Sequence, residues 1–166
     1  MPFGKHKQEE TDPVAISRKL REKALSVTAQ DLNLAPIEAR PHVWGALMEL
    51  GYPQTIATLA AFADGSVSLY ISTGGGFLDG GEHPPVREEA DRFLGIVEQH
   101  IADFEPADDE MPLPRTGRVR FYVRTFQSTL TAEVDEALLM SRTHKLAPVF
   151  QAGHAVITQM RLLSKP

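Results

Sequence analysis

Two regions of the chain alternate apolar and polar residues with a period of two, the pattern of a β-strand with one buried face. The first is residues 66–72, and an apolar run over residues 54–62 precedes it. Asp64-Gly65 lies between the two stretches and favours the two-residue type I′ turn, in which both central residues need positive φ. The pattern therefore predicts a β-hairpin.

The second alternating region predicts another hairpin. Residues 118–126 and 129–135 both alternate, and Gln127-Ser128 lies between them as a two-residue turn. In that register Arg120 faces Asp135, so cations oppose anions on one face of the hairpin, while apolar residues oppose one another on the other face.

Four segments show the apolar spacing or the end signals of helices. They cover residues 13–27, 36 or 41 to 50, 84–104 and 147–163. Asp12 precedes Pro13 as an N-cap, and Gly51 and Pro53 would end the second helix. Residues 137–144 fit either a strand or a turn of helix.

Together these elements predict an α+β fold, in which two hairpins form an antiparallel sheet of four to five strands packed against helices. The predicted order is α-α-β-β-α-β-β-α. Residues 1–10 are polar and predict an N-terminal tail, while residues 11–166 predict one domain, since about 150 residues is a usual domain size. Residues 105–114 carry three prolines and four acids, which predicts a surface connection.

Composition restricts the classes of function. The net charge is -5, so the clustered basic residues that a nucleic-acid partner requires are not indicated. The first ten residues lack the apolar core of a signal peptide, and no apolar run approaches the ~20 residues of a membrane span. We therefore expect a cytoplasmic protein without a membrane or nucleic-acid partner. The chain has no cysteine, which excludes disulfides, thiolate nucleophiles and cysteine metal ligands.

A glycine-rich loop before the third predicted helix is a candidate ligand site. It contains Gly74, Gly75 and Gly76, and then Gly80-Gly81. A strand that leads through glycines to a helix N-terminus suits an anion, because free N–H groups and the helix dipole meet there. However, neither the P-loop nor the GxGxxG pattern is present, and Glu82 and two prolines oppose phosphate binding. The alternative is a flexible connection.

A row of arginines is the second candidate site. Arg118, Arg120 and Arg124 lie on one face of the predicted strand, with Tyr122 among them. This layout suits an acidic ligand. The alternative is pairing with the acids of the neighbouring strand, in which case the row is structural.

His83 follows Glu82 and lies close to Asp79, so it could join an acid–base or metal cluster with His144 or His154. No HExxH or similar close ligand pair occurs. The sequence therefore predicts no metal site and no cofactor.

The order helix, hairpin, helix, hairpin, helix over residues 36–164 resembles the roadblock/dynein light chain domain, a relative of profilin-like folds. The stretch ATLAAFADGSVSLYIS, followed by a helix, contributes to the resemblance. Such domains have a five-stranded antiparallel sheet, usually dimerise, and act as scaffolds or regulators of small GTPases. The resemblance implies a binding module.

Two hypotheses of function follow. The first is a non-catalytic domain that binds itself, as a homodimer, or another protein, through the hairpin face that carries Tyr70. The second is a small-molecule or anion-binding protein or enzyme. Its pocket would lie between the Gly74–Glu82 loop, His83 and the strand of Arg118, Arg120 and Arg124.

Overall fold

The computed structural model describes residues 12–163, and within them the chain forms four α-helices and seven strands. The helices are α1 (Pro13–Ser26), α2 (Pro84–Gln99), α3 (Glu136–Met140) and α4 (Ala147–Leu163). The strands are β1 (Val43–Gly51), β2 (Ile56–Phe62), β3 (Val67–Ile71), β4 (Gly76–Phe77), β5 (Glu105–Pro106), β6 (Arg118–Thr125) and β7 (Thr129–Asp135). The polar tail predicted for residues 1–10 lies outside the described residues.

All seven strands form one antiparallel sheet in the order β4-β3-β2-β1-β6-β7-β5. The α+β class is confirmed, but the prediction of four to five strands is wrong. The two edge strands, β4 and β5, have only two residues each, and they pair with two residues of β3 and two of β7.

The central strand β1 corrects the largest error of the sequence analysis, which predicted a helix ending at Leu50. All nine residues of β1 are buried, because helices cover both faces of the sheet. A strand buried on both faces reads as a continuous apolar run without alternation, and the spacing of such a run also fits a helix.

The first predicted hairpin is confirmed as β2 and β3, but its turn is different. The connection is Ala63-Asp64-Gly65, closed by a hydrogen bond of 3.0 Å from the Phe62 N–H to the Ser66 carbonyl. Gly65 alone has positive φ, at 94°, whereas a type I′ turn needs it at two central residues. Both Asp64 carboxylate oxygens accept hydrogen bonds from Ser66 at 2.9 Å, which stabilises the longer turn.

The second predicted hairpin is confirmed as β6 and β7, but its register is shifted by two residues. Arg120 pairs with Glu133 rather than with Asp135. The reason is the turn, where the Thr125 hydroxyl accepts hydrogen bonds from the N–H groups of Gln127 and Ser128 at 3.3 and 2.9 Å. A shift of two residues keeps every side chain on its predicted face.

Three of the four predicted helices are confirmed. Asp12 caps α1 by accepting a hydrogen bond of 3.1 Å from the Val14 N–H. α2 begins at Pro84 as predicted but ends at Gln99, and residues 101–103 form a 3-10 turn. The first part of the ambiguous segment 137–144 belongs to the short helix α3, which begins at Glu136. Among residues 12–163, no helix combines the length and the apolar character that crossing a bilayer demands.

The sheet has two differently covered faces. α2 and α4 cover the first, which we call the two-helix face, and Met48, Phe93 and Phe121 lie in its core. α1 and the loops beside it cover the second, the α1 face, whose core includes Trp44, Leu47, Tyr70 and Tyr122. Tyr70 was expected on an open hairpin face, but the chain itself covers this side chain, which is 8% exposed.

Candidate functional site

A row of polar side chains crosses the α1 face from strand to strand. Neighbouring strands pair Tyr70 with Thr58, Thr58 with Glu49, Glu49 with Arg120, and Arg120 with Glu133. We call these five residues the polar row. Because directly opposed residues of antiparallel strands point to the same face, the row places charged groups in the middle of a sheet whose other face is apolar.

Glu49 is the most deeply buried member of the polar row, with 0% exposure. Arg21 of α1 reaches down to it, donating from Nε to Oε2 at 2.7 Å and from Nη2 to Oε1 at 2.8 Å. The Thr58 hydroxyl donates to Oε2 at 2.6 Å. Burial works against the charge of Arg21, but the hydrogen bonds and charge of Glu49 outweigh it and raise the pKa of Arg21.

The same cluster holds the loop between β5 and β6. Arg21 Nη2 donates to the Met111 carbonyl at 3.0 Å, and the Tyr122 hydroxyl donates to the Pro112 carbonyl. The guanidinium carbons of Arg21 and Arg120 lie 6.0 and 5.9 Å from the centre of the Tyr122 ring. Burial raises the pKa of Tyr122 to about 12.

A pocket of about 240 Å³ opens between α1 and the sheet, beside the polar row. Its apolar walls are Val14, Ile56, Tyr70 and Leu113, and its polar walls include Arg18, Arg21, Glu22, Thr58 and Ser72. We call it the inner pocket. A second, more open pocket of about 520 Å³ adjoins it through Ile56 and Ser72.

The second pocket, the outer pocket, extends to Tyr52, Pro114 and Arg115. The two pockets share Ile56 and Ser72 in their linings, and we call the surface that contains both of them the groove. Three large apolar residues on its walls are exposed, namely Val14 and Leu113, each 48% exposed, and Tyr52, 37% exposed. Exposed apolar side chains that gather at a depression are typical of a binding surface.

The three arginines predicted as a site share the α1 face, as expected, but each bonds within the chain. Arg118 donates to Asp135 at 2.8 Å, and Arg120 donates to Thr131 at 3.0 Å. Arg118 and Arg120 also lie 3.6 and 3.7 Å from Glu133 Oε2. Acidic residues of the neighbouring strand β7 therefore compensate the charges of Arg118 and Arg120.

Arg124 has a different function in the fold. It is 8% exposed, and it donates to the Ala24 and Val27 carbonyls at 3.0 and 2.8 Å, which end α1. Its guanidinium carbon lies 4.7 Å from the centre of the Trp44 ring. Burial lowers the pKa of Arg124. Arg124 thus attaches the C-terminal end of α1 to the sheet.

The glycine-rich loop forms the turn from β3 to β4. Gly74, Gly75 and Gly76 all have positive φ. A Cβ on Gly76 would lie 2.1 Å from the Leu69 carbonyl oxygen, and one on Gly74 would lie 2.7 Å from Pro13 Cβ. These two glycines therefore permit close backbone and helix contacts.

The structure does not bring the predicted ligand residues together. β4 and β6 are four strand spacings apart, roughly 19 Å. His83 precedes α2 on the two-helix face, and its ring centre lies 6.0 Å from that of Phe77. The three arginines lie on the opposite, α1 face. Within residues 12–163, no three His, Asp or Glu side chains gather as a metal site requires.

Sequence reasoning missed Arg21 and Glu49, which are 28 positions apart. One signal was present, because Glu49 interrupts the apolar run of β1 between Met48 and Leu50. A charged residue in a fully buried strand requires a partner of opposite charge. Identifying β1 as a strand would have raised that question.

The seven-stranded sheet differs from the five-stranded sheet of the roadblock-type domains that the order of elements resembles. Beyond the four strands of the two predicted hairpins, the sheet contains the short β4 and β5, together with β1, where a helix was expected. Comparison with models of known protein families, with curated proteins and with solved structures found no match.

Proposed function

We propose that this chain is a non-catalytic, cytoplasmic protein-interaction domain that binds a second copy of itself, as a homodimer, or another protein. The observation that carries the proposal is the groove, where Val14, Tyr52 and Leu113 are exposed together. Such side chains lose contact with water when a partner covers them, which favours association.

The bonding of Glu49 argues against a role of this carboxylate as a general base. Both of its carboxylate oxygens already accept hydrogen bonds, from Arg21 and Thr58. A general base must have an oxygen within reach of a substrate proton, and this carboxylate is fully covered. The charged cluster therefore serves to hold α1 on the sheet and to form one wall of the groove.

Site-specific photo-crosslinking in living cells tests the proposal. The photoreactive residue p-benzoylphenylalanine is placed at Leu113 in the groove, or at Arg92 on α2 as a control. The Arg92 side chain is 66% exposed, and α2 covers the opposite face. A crosslinked product from position 113 alone is expected, and a product of twice the chain mass identifies the homodimer. Equal products from both positions, or none from either, would contradict the proposal.

Small-molecule or anion binding is the second candidate function. The observation in its favour is the inner pocket, whose wall carries the two cations Arg18 and Arg21. A thermal-shift screen of anions, nucleotides and divalent metals tests it, since a ligand at a hundredfold excess over Kd stabilises the fold by ~2.7 kcal/mol. A shift that Arg18→Ala abolishes indicates the inner pocket. A shift that Gly75→Ala abolishes instead indicates the glycine-rich loop.

A further inference from the structure

We propose that the inner pocket receives one aromatic side chain from an extended, acidic segment of a partner protein. This inference rests on the proposed function and names the chemistry of the partner. Four observations support it: the size of the inner pocket, the bonding of its polar walls, its aromatic and cationic lining, and the charges beside it.

The size of the inner pocket favours a single side chain. Its volume of about 240 Å³ is below the ~300–1,000 Å³ that is usual for sites that enclose a whole small molecule. A protein partner needs a smaller cavity, because a single anchoring side chain enters while the rest of the partner stays on the surface.

The two hydroxyl groups on the sheet side of the inner pocket, those of Thr58 and Ser72, have partners within the chain. The Thr58 hydroxyl donates to Glu49. The Ser72 hydroxyl oxygen accepts from the Ile56 N–H at 2.8 Å and lies 3.2 Å from the Thr55 hydroxyl. An occupant is therefore held chiefly by Val14, Ile56, Tyr70 and Leu113, and it must be apolar to match them.

An aromatic occupant suits this lining better than an aliphatic one. The ring of Tyr70 offers an edge or a face to another ring, and the guanidinium groups of Arg18 and Arg21 can pack against an aromatic face. An aromatic side chain also loses little conformational freedom on binding, because it has only two side-chain torsions.

The charges along the groove favour an acidic segment. Among the described residues that line the two pockets, the cations are Arg18, Arg21 and Arg115, and Glu22 is the one carboxylate. Glu49 already compensates Arg21. Within residues 12–163, neither Arg18 nor Arg115 forms an ion pair with a described carboxylate, so both can meet acids that flank the aromatic anchor.

Fluorescence anisotropy with a synthetic probe tests the inference on the full chain. The probe is the fluorescein-labelled peptide DDEWEDD, and its matched controls are DDEAEDD, without the aromatic anchor, and NNQWQNN, without the acids. We expect saturable binding of DDEWEDD and at least about tenfold weaker binding of each control. Raising the salt concentration should weaken the binding of DDEWEDD, because the flanking charges are exposed to solvent.

Charge reversal in the protein locates the binding. Arg18→Glu and Arg115→Glu should each weaken the binding of DDEWEDD at least about threefold, and Arg92→Glu on the opposite face should leave it unchanged.

Equal binding of DDEAEDD, absent binding of DDEWEDD, or equal effects of all three substitutions would overturn the inference. If a crosslink still forms at position 113, then the anchor chemistry alone is wrong. If no crosslink forms, the proposed function also fails.

Discussion

The Arg21 guanidinium of α1 and the Glu49 carboxylate of the central strand face each other through two hydrogen bonds of 2.7 and 2.8 Å. The two side chains differ in their access to water, because Arg21 is 18% exposed and Glu49 is 0% exposed. This asymmetry determines which member of the pair is more costly to remove.

Arg21→Met should be more destabilising than Glu49→Leu. The first substitution leaves a fully buried carboxylate without its cation, which costs about 3–5 kcal/mol, whereas Arg21 without Glu49 can still turn toward water. The double variant should regain much of the loss, because neither charge is then left unpaired. Urea unfolding of the wild type, the two single variants and the double variant measures their free energies of unfolding.

Arg18→Met, also on α1, serves as the control and should change stability by less than about 0.5 kcal/mol. The reverse order of the two single variants would contradict the prediction.

Arg124→Met should release the C-terminal end of α1. The substitution removes the donors to the Ala24 and Val27 carbonyls, and hydrogen bonds to a charged group contribute about 1.5–3 kcal/mol. Hydrogen exchange should accelerate in α1 more than in β1. Arg118→Met is the matched control on the same strand, with an effect of ~0–1 kcal/mol, because Arg118 is 33% exposed and its partner Asp135 is 55% exposed. Equal effects of the two variants would show that the capping bonds contribute little.

Alanine substitutions in the glycine-rich loop should differ in their effect on stability. A Cβ at Gly76 would meet the Leu69 carbonyl oxygen at 2.1 Å, while one at Gly75 would have no atom of the described residues within 4 Å apart from its chain neighbours. Gly75→Ala should therefore cost about 1 kcal/mol, from its φ of 86° alone, and Gly76→Ala should cost at least about 1 kcal/mol more. Thermal unfolding compares them, and a similar melting temperature for both would contradict the steric argument.

Gly95→Ala should stabilise the protein. Gly95 lies inside α2, and a Cβ there would have no atom of the described residues within 4 Å apart from its neighbours in the helix. Alanine favours a helix interior over glycine by about 0.8–1 kcal/mol, so urea unfolding should show a gain of up to that size. A loss of stability would mean that the helix needs glycine at this position.

His154→Leu should make stability less dependent on pH. Burial, together with Arg161, lowers the pKa of His154 below its ordinary value of 6.5. As the pH falls below about 6.5, the unfolded chain binds a proton that the folded chain does not, so the native protein loses stability. Urea unfolding at pH 7.5 and 5.5 should show a smaller loss for the leucine variant, and equal losses in both proteins would contradict the prediction. The buried Nε2 has no hydrogen-bond partner among the described residues, so leucine removes no observed bond of that atom.

Much of the fold could be predicted because several elements carry local signals. The alternation in β3, the cap at Asp12 and the start of α2 at Pro84 all depend on neighbouring residues in the sequence. β1 carries no such signal, since its burial on both faces results from two other parts of the chain. The alternation of apolar and polar residues also could not determine the register of β6 and β7, because a shift of two residues leaves the same side chains on each face.

The candidate site was harder to predict, because its contacts are distant in the sequence. The shared face of Arg118, Arg120 and Arg124 followed from alternation, but the partners of Arg124 on α1 lie 100 and 97 positions away. The groove depends on how α1 and the loop before β6 sit against β2 and β3. No local pattern in the sequence encodes that arrangement.

The central position of β1 has a consequence for synthesis on the ribosome. One neighbour, β2, follows within a few residues, but the other, β6, ends at Thr125, so roughly 70 residues must be added after β1 before its second edge can pair. At ~5–20 residues per second this takes about 4–14 s. During that interval a strand that is apolar except for Glu49 has an unpaired edge, and an exposed apolar strand edge of this kind favours aggregation and chaperone binding.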